Sequence, residues 1–470
     1  MPPYLMNLGA IVGLLAVIAM VLRRLPKVDI GHSAALVARR RSNWIVLGLA
    51  YAFLYFGRYN LSAIVGDLDR SGLLTKEQFN AIDGVGLATY GIAFLLNGPL
   101  ADRWGGRQTI LLATGGSAVM NLGMGWVMNQ LATGMPSSTT ATSAESLRQT
   151  LLILNAANMY FQSFGAVSIV KVNAHWFHVR ERGVLGGMFG ILISLGLYFS
   201  YDWSLLLYKN VGLTSTFVVP GLVLLAACIA AALVVRDSPS RAGFEDFDTG
   251  DATSGQTHAD PLKVVLKKML SQKAVLIMIA IEACSGFLRQ AVMKQYRPYA
   301  AAIGQADTFV YQNWGLLLCI AGILGGIFAG TISDVVFHSR RGPVASILYA
   351  GMLAGTIVCA FTLGSPALGW SIVFISLCVI GVHGMLSGTA SADFGGTRNA
   401  GVVTGVIDGF VYIGSATQAF VYRDALPKGL AARDPSAWAS WPQYMIPVAL
   451  VGLVLCAAVW NAKPKSHAAH

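Results

Sequence analysis

The chain has 470 residues, 55% of them hydrophobic and only 12% charged, about half of the roughly 25% charged fraction of soluble domains. That balance excludes an ordinary soluble enzyme and calls for a solvent that accepts apolar surface, a lipid bilayer. Lys and Arg number 33 against 22 Asp and Glu, a net charge of +11, but no nucleic-acid partner is expected, because the basic residues fall where loops of a membrane protein need them.

Apolar stretches of spanning length, about 20 residues, fall near 4–22, 43–65, 79–100, 108–130, 148–174, 183–206, 214–235, 273–294, 308–332, 343–363, 369–392, 401–423 and 442–461. The first has the length of a span or of a signal peptide. No basic region precedes it and Arg23, Arg24 and Lys27 follow it, which favours a span. Alternate loops carry the basic residues: Arg39 to Arg41, Arg103 and Arg107, Arg180 and Arg182, Arg236 to Lys273, Arg340 and Arg341, Arg398, and Lys463 and Lys465. Loops that stay cytoplasmic keep such an excess. The expectation is an all-α polytopic protein of the inner (plasma) membrane, its N-terminus outside and its C-terminus cytoplasmic.

Five segments follow: an extra N-terminal transmembrane helix in 1–30, a six-helix bundle over 43–235, a cytoplasmic linker over 236–272, a second six-helix bundle over 273–461 and a tail over 462–470. The Ser/Thr-rich loop 133–146 reads as an external insertion without function. In the linker an acidic run, Glu245 to Asp251, precedes Pro261 to Leu270, apolar on one face and basic on the other, as suits a helix at an anionic membrane surface. The six cysteines lie in apolar runs without paired spacing; they read as small core residues, and no disulfide, metal or cofactor is expected.

The halves repeat. Gly98-Pro99-Leu100-Ala101-Asp102-Arg103-Trp104-Gly105-Gly106-Arg107 ends the second helix of one, and Gly330-Thr331-Ile332-Ser333-Asp334, with Arg340 and Arg341, ends that of the other. Asp102 and Asp334 are 232 residues apart; Arg58 precedes the first by 44 residues and Arg289 precedes the second by 45. These two arginines stand in apolar runs with no acid within a helical turn. A charge at a helix centre costs about 2.5–3.5 kcal/mol on insertion scales, so each is a functional candidate. The alternative is an arginine that snorkels or pairs with a distant carboxylate. Two guanidiniums facing each other across a pseudo-twofold axis would trap a small dianion such as phosphate.

Further candidates surround the pair. His175 ends the fourth helix of the first half, as an anion ligand or as an interfacial histidine. Lys294, five residues beyond Arg289, joins the site or flanks a loop. His383, Asp393 and Asp408 fall in or near later helices, Asp408 as a counter-ion or a passive cavity residue. Tyr55, Tyr59 and Tyr412 shape a pocket for an organic moiety or pack. Asp102, Arg103, Arg107, Asp334, Arg340 and Arg341 read as gates, holding the cytoplasmic side closed through charge-assisted contacts between helix ends. No G-x-x-x-x-G-K-[ST], H-E-x-x-H or G-x-S-x-G motif occurs; neither an enzyme nor an ATP-driven pump is expected.

Over Asn43 to Asn461 the chain resembles the major facilitator superfamily and, more narrowly, its organophosphate:phosphate antiporters. The resemblance rests on Tyr55-Phe56-Gly57-Arg58-Tyr59-Asn60, His175-Trp176-Phe177 with Arg180-Glu181-Arg182-Gly183, Arg236-Asp237-Ser238-Pro239, and Ser333-Asp334-Val335-Val336-Phe337 with Arg340-Arg341-Gly342. It implies the two-bundle facilitator fold, phosphate-binding arginines at Arg58 and Arg289, and a site histidine at His175. Three positions depart from the family pattern: Phe94 replaces a common lysine, Lys294 stands where an acid is found, and Cys319 aligns with another acid. A substrate with a second negative charge is compatible with that exchange of charges. The expected function is secondary transport by alternating access, an organic phosphate of sugar phosphate, glycerol phosphate or phosphoglycerate type exchanging for inorganic phosphate, by a monomer in the bilayer. The rivals are a proton-coupled organic-anion carrier using Asp408 or His175, a transporter-like sugar-phosphate sensor and, last, membrane-embedded catalysis.

Overall fold

The computed structural model describes residues 33–133, 140–178, 191–249, 262–337 and 341–460. The expected first span, the tip of the Ser/Thr-rich loop, Arg180, Arg182, Gly183, Asp251, Arg340 and the tail lie outside them, as do the side chains of Asp334, Asp393 and Arg398.

The described residues form helices and no strand. The first half holds α1 (Ala34–Arg70), α2 (Lys76–Trp104), α3 (Gly106–Thr133), α4 (Thr140–Trp176), α5 (Ile191–Asn210) and α6 (Ser215–Val234). A short helix, α7 (Leu262–Leu270), leads to the second half: α8 (Lys273–Ala302), α9 (Trp314–Val335), α10 (Arg341–Phe361), α11 (Ala367–Ala425) and α12 (Ser440–Ala458). Eight of the described helical segments are long and apolar enough to cross a membrane. Their outer faces carry large apolar side chains such as Leu96, Trp126, Ile153 and Val454, each about 60% exposed, while Arg58, Glu282, Arg289, Lys294 and Arg297 are buried. Apolar outside and ionisable inside is the pattern lipid imposes.

Local chemistry sets the helix ends. Ser33 caps α1 through the Leu36 amide. Thr75 and Gln78 form a reciprocal capping box at α2, each side chain accepting from the other's amide. Gly105, at φ +88°, makes the one-residue link from α2 to α3, and a Cβ there would lie 3.0 Å from the Asp237 carboxylate.

Two spans expected around a break near 393–400 are one helical stretch, α11. Drawn straight, 59 residues would reach about 88 Å at 1.5 Å each. Instead α11 doubles back: Gly369 lies against Tyr296 and Tyr422 against Phe287, nine residues apart on α8. Its second part is gripped by helices of both halves. A Cβ on Gly98 of α2 would sit 2.5 Å from the Gly401 carbonyl, and Gly286 of α8 leaves no room for one beside Val411. Backbones this close need small residues.

The linker is less separate than its composition predicts. Asp237 accepts from the Arg107 amide at 2.7 Å, and the Arg236 carbonyl accepts from Trp176 Nε1 at 2.9 Å. The chain leaving α6 is thereby tied to the first bundle. Val265 and Met269 of α7 bury against Val275, Ile279, Val402 and Val406, so protein covers at least part of the apolar face expected at the membrane surface.

Candidate functional site

Arg58 sits in the middle of α1 on a segment braced by amides. Asn121 and Asn158 donate to the Gly57 carbonyl at 3.1 and 2.9 Å, and Asn60 donates to Asn121 at 2.9 Å. Gln162 of α4 donates to the Leu54 carbonyl at 2.8 Å and accepts from Arg58 Nε at 3.1 Å. The Arg58 Nη1 donates to the Tyr412 hydroxyl at 3.2 Å, and the guanidinium lies 4.4 Å from the Tyr55 ring and 4.6 Å from the Tyr90 ring. Amide and aromatic partners hold the cation in place without neutralising it.

Arg289 of α8 is held differently. Its guanidinium lies 5.1 Å from the ring of Tyr412, the residue whose hydroxyl meets Arg58. Its Nε and Nη2 are buried without a hydrogen-bond partner in the protein, as is Arg58 Nη2. Nε and Nη2 form one edge of a guanidinium, the edge that gives two parallel bonds to a carboxylate or phosphate. Buried donors on cations without an acceptor are costly, and an anion among these three nitrogens would satisfy them.

The other expected residues are distributed as follows. Tyr59 is buried, stacks on Tyr55 and accepts from Gln290 Nε2 of the second half at 3.0 Å. Phe94, where the family pattern has a lysine, stacks on Tyr412 with ring centroids 5.7 Å apart. Lys294 is buried in an ion pair with Asp83 of α2, across the two halves; the expected alternative of a flanking-loop lysine is corrected, because α8 runs on to Ala302 and keeps it inside. His175 has Nδ1 3.0 Å from the Lys171 carbonyl. It lies 13 residues from Gln162, or about 20 Å along α4, so the structure does not bring it together with the arginines. Asp408 is buried in the second half near His383.

Of the expected gates, Asp102 joins the halves at the face that carries Arg39 to Arg41. Its carboxylate meets Lys171 Nζ at 2.7 Å and accepts the Gly401 and Val402 amides, each at 3.1 Å. Arg107 bonds the Ala232 carbonyl at 2.7 Å, within the first half. Arg103 is exposed and Arg341 opens α10. At the opposite face Asp202 accepts the Gly315 and Leu316 amides at 2.8 Å each, and Arg297 donates to the carbonyls of Ala63, Tyr201 and Tyr311. The halves therefore meet at both faces around the arginine pair. Gln162, Tyr90, Asp83, Asp202, Glu282 and Arg297 were not anticipated. Apart from Tyr90, which meets Arg58, each pairs with a residue 100 or more positions away, which leaves no local pattern.

Residues 47–419 match the family described as Major Facilitator Superfamily. The chain belongs to the major facilitator superfamily. A glycerol-3-phosphate transporter of Bacillus subtilis is 24% identical over 92% of this chain and 95% of its own. The membrane sensor protein UhpC of Salmonella typhimurium is 24% identical over 80% and 83%. A "Probable hexose phosphate transport protein" of Chlamydia muridarum is 22% identical over 89% and 91%. The resemblance to organophosphate antiporters drawn from the motifs agrees with these relatives. A bacterial homologue of the human lysosomal transporter Spinster, solved inward-facing and unoccupied, superposes with a TM-score of 0.62 at 13% identity over 90% of this chain and 96% of that one, which shows the shared fold. This facilitator is a multi-pass membrane transporter.

Proposed function

We propose that this facilitator exchanges an organic phosphate for inorganic phosphate, and that Arg58 and Arg289 hold the phosphoryl group of either. The observation that carries the reading is the set of three buried guanidinium nitrogens without a protein acceptor, gathered around Tyr412. An empty pair of cations repels; a dianion between them draws the halves together. Only the loaded carrier then crosses readily, which couples influx to efflux. Tyr55, Tyr59 and Tyr412 line the same space for the organic part, and Lys294, if released from Asp83, adds a cation for a second negative charge. In the bilayer the basic face is cytoplasmic by the distribution of Lys and Arg, with the N-terminus outside, in an inner (plasma) membrane. The two bundles, 43–235 and 273–461, move as the rocking units, and the Asp102 contacts close the cytoplasmic side.

In proteoliposomes, uptake of labelled phosphate should require phosphate inside, and should be inhibited by some members of a panel of phosphate esters. Uptake that is indifferent to internal phosphate contradicts exchange. The similarity to a membrane sensor protein supports a second reading, a receptor that binds a phosphate ester without moving it. Binding without uptake in the same vesicles would select that reading.

A further inference from the structure

Glu282 lies seven residues before Arg289 on α8, two turns away on the same face. It is fully buried, and its Oε1 has no hydrogen-bond partner in the protein. Its Oε2 lies 3.3 Å from Nδ1 of His383, also buried, on α11. The groups facing the pair are Cys284 and Arg289 on the same helix, Tyr349 on α10, Asp408 on α11 and Cys456 on α12. The Tyr349 hydroxyl is committed to the Ile281 carbonyl at 2.7 Å, and Arg289 is the fixed charge of the set.

A carboxylate accepts up to about four hydrogen bonds; this one has the imidazole alone. Burial without partners disfavours the anion, and Arg289 offsets that only while its charge is not taken by a ligand. A dianion on the Nε and Nη2 edge of Arg289 competes with Glu282 for that cation and repels the carboxylate. A proton on the pair removes the repulsion. By linkage, whatever the anion adds to the proton affinity the proton adds to the anion affinity.

We propose that Glu282 and His383 form a proton-binding site linked to the anion at Arg289, so that the carrier takes up a proton with its dianion. The inference rests on the phosphate reading above. The proton comes from the water of the open face, forms an O–H bond on Glu282 hydrogen-bonded to His383, and returns to water on the other side when the anion leaves. The sign follows. Below the midpoint of the pair the protonated form favours the anion, and that advantage is lost as pH rises through the midpoint.

The test is the KM for phosphate exchange between pH 6 and pH 8 in proteoliposomes of wild type, Glu282→Gln and His383→Gln. Phosphate itself titrates in this range, so the readout is each variant's profile relative to wild type. Wild type should weaken about tenfold more than Glu282→Gln over the interval, a coupling of the usual allosteric size. Glu282→Gln mimics the protonated pair and should keep its low-pH affinity at pH 8. His383→Gln should displace the midpoint, where a purely structural role would lower activity without moving the profile, and it decides alone if Glu282→Gln fails to fold. Profiles that follow wild type in the folded variants overturn the proton site alone. Absence of phosphate exchange already in wild type overturns the phosphate reading and this inference with it.

Discussion

Arg58 and Arg289 occupy equivalent places in the two halves, yet one is fastened and the other is open. Arg58 gives Nε to Gln162 and Nη1 to Tyr412, lies against two tyrosine rings, and has one nitrogen left. Arg289 rests against Tyr412 and presents a whole edge, Nε and Nη2, without a protein acceptor. A symmetric fold has produced an asymmetric site, in which the first half supplies a fixed wall and the second a free fork. On the phosphate reading, arrival of an anion would change the surroundings of Arg289 more than those of Arg58.

The comparison breaks most visibly under charge-conserving substitution. Lysine keeps the charge and loses the fork. Arg289→Lys should raise the phosphate KM by two to four orders of magnitude, two charge-assisted bonds at about 1.5–3 kcal/mol each, whereas Arg58→Lys should raise it about ten- to a hundredfold, the effect of one such bond. Equal losses would remove the asymmetry.

The next effect concerns the two faces. Asp202 caps the start of α9 outside the arginines much as Asp102 caps the start of the second part of α11 on the basic side. Asp202→Ala should raise labelling of cysteines placed beneath the far face, and Asp102→Ala should do so on the basic face, each by about 5- to 150-fold in the open-to-closed ratio. Labelling that changes on the same face for both would contradict opposed gates. Asn121 donates to the Gly57 and Ser117 carbonyls and accepts from Asn60. Its replacement by Ala should cost about 1–3 kcal/mol of stability, seen as a lowered Tm in detergent, with phosphate affinity falling less than for either arginine variant. Smallest is Tyr412→Phe, which keeps the ring beside Arg289 and removes the acceptor of Arg58. About 1 kcal/mol, or roughly fivefold in KM, is expected, with Arg289-dependent binding intact.

The arginine pair was legible in the sequence because a charge inside an apolar run violates the pattern around it, and twice at one spacing. Tyr55, Tyr59 and Tyr412 were visible as candidates, but nothing local said that Tyr412 joins both arginines. Lys294 was visible as a candidate, but its partner Asp83, 211 residues away, was not, and Arg297 was hidden by a boundary. The expected span ended at 294, whereas α8 continues to Ala302 and buries two cations that composition assigned to a loop end. Glu282 was overlooked for a related reason, lying nine residues after Lys273 where an interfacial acid is unremarkable. Its meaning comes from His383, 101 residues away. The stretch 393–400 is polar and holds Gly395-Gly396, a turn signal, but no proline, and α11 keeps helical backbone through it although it doubles back.

The central claim is that one dianion bridges Arg58 and Arg289. Equilibrium binding of inorganic phosphate to the purified wild type, Arg58→Ala, Arg289→Ala and the double variant tests it most directly. A shared ligand predicts that each single variant loses most of the affinity and that the double variant is scarcely worse, a strongly non-additive cycle. Two additive losses, or phosphate binding that survives either substitution, would contradict it.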